Sequence, residues 1–231
     1  MIAVPAYTAD QVRAAERPLL DAGVPLMRRA ASALAAITRD RVARSARPAL
    51  LVLAGSGDNG GDALYAAAEL SSAADVEVLP VGRRVHEAAL AEALSAGCRA
   101  ASLRDVTSKP TAYDVVLDGI LGIGASAGSG LRGDARDAVA ALLPRVQNGS
   151  LAVIAVDLPS GLDPGSGTAV DPVLPAGTTV TFGAVKAGIV RGRGPELCGD
   201  VVLVDLGLEA LHVADAVAEA SVSRIVSAQS P

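Results

Sequence analysis

From Ala49 onward, continuous apolar runs of strand length alternate with stretches of helical spacing, the pattern left by parallel strands covered on both faces. The runs fall at 50–53, 76–81, 115–117, 151–156, 180–182 and 201–204, and helices are expected between most of them. Ahead of them, Thr8-Ala9-Asp10-Gln11 spells a capping box. The apolar spacing after it predicts one helix and then, through Gly23, a second that starts near Pro25. At the other end, 209–226 is rich in Ala and is expected to be helical, while 227–231 should fray. Gly and Pro thicken between Pro159 and Gly199. Apolar segments continue beyond, so this stretch reads as loops and short strands rather than a linker.

The pattern therefore predicts one domain over 1–226: a helical arm at 1–45 and an α/β core at 49–226, with a frayed tail at 227–231. The core is expected to be a Rossmann-like three-layer αβα sandwich around a mostly parallel sheet. Composition adds that hydrophobic residues make up 51% of the chain but aromatic ones only 2%, so the interior must be built from many small Ala, Val, Leu and Ile contacts. A net charge of -5 with no basic run argues against nucleic acid or an anionic membrane as partner. There is no basic-then-apolar leader, and no apolar run approaches the ~20 residues of a membrane span, so the chain reads as cytoplasmic. Cys98 and Cys198 stand far apart, outside any CxxC or Cys/His cluster, and are expected to be free thiols.

In an open parallel sheet, ligands bind beyond the carboxyl ends of the strands. Three such ends carry chemistry here. The first opens into Gly55-Ser56-Gly57-Asp58-Asn59-Gly60-Gly61-Asp62, which contains G-x-G-x-x-G at the start of a helix, where backbone amides can approach a phosphate. An NAD-type site would need an acid at the end of the next strand, but Val81-Gly82-Arg83-Arg84 stands there; the arginines would suit a 2′-phosphate. Asp58 and Asp62, however, place two carboxylates where a pyrophosphate would lie, which is unfavourable unless a cation intervenes. They can also be read as helix caps. The other two ends read Asp118-Gly119-Ile120-Leu121-Gly122-Ile123-Gly124 and Asp157-Leu158-Pro159-Ser160-Gly161-Leu162-Asp163. Two strand-end carboxylates beside a loop of Asn, Asp and Ser, with no His or Cys near, suit a hard cation rather than zinc. One of the two would hold a metal and the other move a proton. Gly124-Ala125-Ser126-Ala127-Gly128 spells G-x-S-x-G, and Ser126, Asp157 and His212 follow the chain order of a hydrolase triad. Ser126 nevertheless lies too far past its strand to sit on a nucleophile elbow. His86 and His212 are expected to be surface or capping groups.

Taken in order, these segments resemble the NAD(P)H-hydrate epimerases, the YjeF N-terminal domain family. The resemblance runs through Gly23-Val24-Pro25-Leu26-Met27, the GSGDNGGD loop, the DGILGIG and VDLPSGLD segments, Thr181-Phe182-Gly183-Ala184-Val185-Lys186 and Val204-Asp205-Leu206-Gly207. It implies an isomerase that interconverts the R and S epimers of hydrated NADH and NADPH, and a potassium ion held by Asn59, Asp118 and Ser160. The substrate would be contacted by Asp58, Asn59, Gly60, Gly61 and Asp62, by Gly122, Ile123, Gly124, Ala125, Ser126, Ala127 and Gly128, and by Asp157, the expected catalytic carboxylate. Lys186 or Arg132 would balance phosphate charge. A homodimer and functional coupling to an ADP- or ATP-dependent dehydratase are implied as well. This chain departs from the family pattern at Asp58, where Asn is usual, at Ala63 for Gly, at Arg28 for Glu, at Ala31 for Gly, and at Val185 and Ala187, which replace the prolines flanking Lys186. Those departures keep open a non-catalytic scaffold or dimerisation module, and the glycine loop with Arg83 and Arg84 keeps open an NADP-dependent oxidoreductase.

Overall fold

The computed structural model describes residues 1–42, 47–109, 112–124 and 130–228. Its first elements are β1 (Ile2–Tyr7), α1 (Ala9–Asp21), α2 (Leu26–Val42), β2 (Ala49–Ala54), α3 (Asp58–Leu70), β3 (Asp75–Pro80), α4 (Glu87–Ser95), β4 (Arg99–Ala100), α5 (Leu103–Ser108) and β5 (Val115–Gly119). There follow α6 (Gly133–Gln147), β6 (Ala152–Val156), β7 (Thr178–Phe182), β8 (Val185–Lys186), α7 (Gly194–Leu197), β9 (Asp200–Asp205), β10 (Ala218–Val222) and β11 (Arg224–Ser227).

The main sheet has eight strands in the order β11-β9-β7-β6-β5-β2-β3-β4, and every pairing within it is parallel. The chain builds outward from β2 through β3 to β4, then returns to the far side of β2 to lay down β5, β6 and β7. This reversal opens a crevice between the ends of β2 and β5. Alternation along β2 fills both layers: Leu50, Val52 and Ala54 join the core shared with α1 to α4, whereas Leu51 and Leu53 join Ala135, Ala138 and Leu142 of α6. The α/β sandwich predicted from the apolar runs is thus the observed architecture.

The two ends of the chain differ from expectation. Residues 2–7, read as the start of a helical arm, form β1, whose Val4, Ala6 and Tyr7 are buried. It pairs antiparallel with β10 and parallel with β8 in a separate three-stranded sheet. The stretch 209–226 is not a helix either: after a short 3-10 turn at Val213–Asp215 it forms β10 and β11, and Ser227 closes β11 instead of beginning a tail. Ala-Glu-Ala-Ser-Val alternates small apolar with polar residues, and burial of Ala220 and Val222 against distant strands overrides the helical preference of Ala. Residues 229–231 lie outside the described residues. The capping box is present as spelled: Thr8 Oγ1 accepts from Gln11 N at 3.2 Å and Gln11 Oε1 from Thr8 N at 2.8 Å.

Candidate active site

The glycine loop is shaped by contact with the exit of β5. Gly55 N donates to Gly119 O at 3.0 Å, and a Cβ on Gly55 would stand 1.8 Å from Ile120 O. One on Gly60 would stand 2.2 Å from Gly55 O, and one on Gly61 would meet Met27 Sδ at 2.9 Å. Gly55 and Gly60 thus permit backbone packing, and Gly61 makes room for the Met27 side chain. Gly57 differs: it is the N-cap of α3, makes no side-chain cap, and has open space beyond its Cα. Neither Asp58 nor Asp62 is therefore the cap. Ala63 packs where Gly119 leaves room, since a Cβ on Gly119 would lie 2.6 Å from the Ala63 methyl.

Asn59, on the first turn of α3, ties the three strand ends together. Its Nδ2 donates to Leu121 O at 3.0 Å and to Val156 O at 2.8 Å. Asp118 is fully buried at the end of β5. Its Oδ1 accepts from Ser160 Oγ at 2.6 Å and Ile120 N at 3.4 Å, and its Oδ2 from Ser160 N at 2.9 Å. Ser160 Oγ in turn accepts from Leu121 N at 2.9 Å. Among the described residues no cation pairs with Asp118. Burial pushes its carboxyl above the usual range, against the pull of the Ser160 and Ile120 hydrogen bonds. The structure thus gathers Asn59, Asp118 and Ser160 around the Leu121 backbone, and two of them, Asp118 and Ser160, lie beneath the cavity rather than in its wall.

Asp157, one residue past β6, has φ +69°, the only positive φ at a non-glycine position among the described residues. Such backbone is costly and is commonly kept where a side chain must point one way. Its Oδ1 accepts from Lys186 Nζ, from Thr181 Oγ1 at 3.2 Å and from Phe182 N at 3.3 Å. Lys186 is 1% exposed. Its other ammonium hydrogens go to Phe182 O at 2.8 Å and Thr181 Oγ1 at 3.3 Å. The phosphate-balancing role expected for Lys186 is corrected by this geometry, because all three donors are engaged within the protein.

A cavity of about 870 Å³ opens over these strand ends, within the range of small-molecule sites. Asp58, Asn59, Asp62, Gly122, Ile123, Gly124 and Asp157 line it, as do Lys186 and Arg132. Gly60 and Gly61 do not; they are buried against Gly55 and Met27. Ala125, Ser126, Ala127 and Gly128 lie outside the described residues. Asp62 has a buried Oδ1 with no hydrogen-bond partner. Its carboxyl is held well above the usual range, by burial first and then by Asp157, Asp58 and Glu16, with Lys186 opposing. Arg83 and Arg84 are exposed just beyond Gly82 on the rim.

Two participants escaped the sequence reading: the pairing of Lys186 with Asp157, and Glu16 of α1, which lines the cavity. The available signal for Glu16 was a charge four residues after Val12 on the helix face that buries Val12 and Ala15. His86 caps α4, its Nδ1 accepting from Ala89 N at 3.1 Å. His212 is exposed ahead of the 3-10 turn. Cys98 and Cys198 are free and buried, and burial pushes their thiols up to about 11 and about 12. Among the described residues no three His, Cys, Asp or Glu side chains cluster as a metal site, and no helix is long and apolar enough to cross a membrane.

The family model described as YjeF-related protein N-terminus matches residues 23–188, a span that holds the glycine loop, Asp118, Asp157, Ser160 and Lys186. The chain belongs to this family. Its relatives include an NAD(P)H-hydrate epimerase of Microbacterium testaceum, 59% identical over 89% of this chain and 80% of its own length. A bifunctional NAD(P)H-hydrate repair enzyme Nnr of Mycobacterium tuberculosis is 42% identical over 89% of this chain, which spans 42% of that longer protein. The fold of this family member is also that of yeast ynu0, whose crystal structure superposes with a TM-score of 0.69 at 19% identity, covering 81% of this chain and 84% of the yeast chain. One departure from the family pattern has a local explanation: Arg28 reaches Glu92 with Nη2 2.6 Å from Oε2 and lies 3.7 Å over the Tyr65 ring.

Proposed function

We infer that this chain is an NAD(P)H-hydrate epimerase, an isomerase that interconverts the R and S forms of hydrated NADH and NADPH. The observation that carries this reading is Asp157, held by the buried Lys186 at the wall of a cavity sited at the sheet's switch point, in a chain 59% identical to a relative named for that activity. Residues 1–227 act as one catalytic domain, with residues of α1 and α2 lining the cavity.

The chemistry needs one ring carbon to lose and regain its hydroxyl. As the C–O bond breaks, its electron pair leaves with oxygen, which takes a proton and departs as water; the ring nitrogen shares the positive charge. Water then adds to the other face and gives up a proton. Asp157, its charge supported by Lys186, is the carboxylate that receives it. Pairing with a buried ammonium also keeps Asp157 oriented. Asp58, Gly122, Ile123 and Gly124 would contact the dinucleotide, as would Asn59 and Asp62; Gly60, Gly61 and 125–128 complete the loops expected to surround it.

Asn59, Asp118 and Ser160 would hold a potassium ion. Asp118 is a buried carboxylate without a counter-charge among the described residues, and the donors around it are oxygens, which suits a hard monovalent cation and not a thiophilic one. When bound, such an ion supplies positive charge beneath a loop whose Asp58 and Asp62 would otherwise repel a pyrophosphate. The scaffold alternative has no use for Asp157 in a costly backbone conformation beside a buried lysine, and the oxidoreductase alternative has no use for acids at the phosphate loop.

The enzyme acts in the cytoplasm, as a homodimer, in series with an ADP- or ATP-dependent dehydratase that consumes the S epimer. A coupled assay tests the function. With R-NADPHX, an S-specific dehydratase and ADP or ATP, the absorbance of NADPH should return rapidly only when this protein is added. If recovery stays at the spontaneous rate with folded protein present, the reading is wrong.

A further inference from the structure

Glu16 stands apart from the acids at the strand ends. It is carried by α1, half-buried, and lines the same cavity as Asp157 from the helical side. Among the described residues it makes no hydrogen bond and no ion pair. Its helix is firmly placed. The capping box fixes its start, Arg13 Nη1 donates to Ile123 O at 2.7 Å, and Gln11 Nε2 donates to Asp215 O at 2.7 Å. A carboxyl held by so anchored a helix, facing a cavity and bonded to none of the described residues, is available to a ligand.

Resting on the epimerase reading, we propose that Glu16 is a second catalytic residue, the acid that protonates the departing hydroxyl while Asp157 serves the water that adds on the other face. Two separately mounted groups answer a requirement of the reaction, since one carboxylate fixed at one side of a ring cannot serve both faces. The balance is simple. Glu16 gives its proton to the hydroxyl as the C–O bond breaks; water attacks the opposite face of the cation and passes its proton to Asp157. The reverse turnover, or proton exchange with solvent, restores both groups. The surroundings favour the protonated form: burial is the main cause raising the Glu16 carboxyl, with Asp157 and Asp58 adding to it and Lys186 and Arg13 opposing. Asp62 faces the same group. Activity is therefore highest while Glu16 holds its proton and falls as pH rises through its raised value.

The test compares wild type, Glu16→Gln and Glu16→Asp in the chromatographic equilibration of S-NADHX across pH, with thermal melts of each protein. For Glu16→Gln, kcat should fall on the order of 100-fold, KM should stay within about threefold, and the alkaline limb should vanish. Its melting temperature should match wild type, because Gln has the shape of the protonated carboxyl and no hydrogen bond or ion pair among the described residues is lost. Glu16→Asp should keep the limb at a reduced kcat, and it decides the matter if the Gln variant does not fold. Unchanged kcat and limb in the variants, or a rise in KM alone, would overturn the proposal and leave the epimerase standing. Wild type without activity would overturn the epimerase reading itself.

Discussion

The ends of β5 and β6 deliver two buried aspartates to one edge of the sheet, but the fold completes only one of them. Asp157 receives an ammonium from Lys186, a hydroxyl from Thr181 and an amide from Phe182, all supplied by the segment from β7 to β8. Asp118 receives a hydroxyl and two amides but no cation among the described residues, although it is the more deeply buried of the two. Burial is costly for a carboxylate unless charge or hydrogen bonds compensate it. Under the proposed function the difference divides the labour: Asp157 is a finished group that would serve proton transfer, whereas Asp118 would be completed from outside by an ion.

The largest effect should come from dismantling the finished side. Asp157→Ala should lower kcat on the order of 1,000-fold and destabilise the protein by about 3–5 kcal/mol in urea unfolding, because Lys186 would be left buried without a counter-charge. The double variant Asp157→Asn with Lys186→Met sharpens the point: stability should recover and activity should not. On the other side, Asp118→Asn should leave no such orphan. Potassium should raise the melting temperature of wild type but not of this variant, whose rate should fall about 10- to 100-fold. If the two single variants responded alike to potassium, the division would fail. Ser160→Ala removes the hydroxyl that bridges Asp118 and the Leu121 amide. About 1–3 kcal/mol of stability should go with it, together with part of the potassium response. Thr181→Val should be mildest, costing about 1 kcal/mol by calorimetry and slowing turnover only a few-fold.

The same contrast explains what could be read from sequence. Leu50 to Ala54, Val115 to Leu117 and Val153 to Val156 are apolar without interruption because both faces of a parallel strand are covered, and an aspartate ending such a run stands out. Asp118 and Asp157 were visible for that reason, as were Asn59 and the glycines that let the loop touch β5. What Lys186 does was not visible, since nothing in Ala184-Val185-Lys186 says that the chain folds back onto Asp157. Glu16 looked like any charge on an amphipathic helix until the cavity was seen beside it. β1 and β10 were missed for a related reason: each is short and rich in Ala, and their pairing joins the two ends of the chain, so no local periodicity records it. Contacts made by distant segments decide these cases, and the Asp58, Ala63 and Arg28 departures likewise gain meaning only beside their neighbours.

The most direct measurement is the equilibration of pure S-NADHX, followed by chromatography, for wild type and a folded Asp157→Asn variant at saturating potassium. The account predicts equilibration far above the spontaneous rate for wild type and a return to nearly that rate for the variant. Equal rates in the two proteins, whether fast or spontaneous, would contradict it.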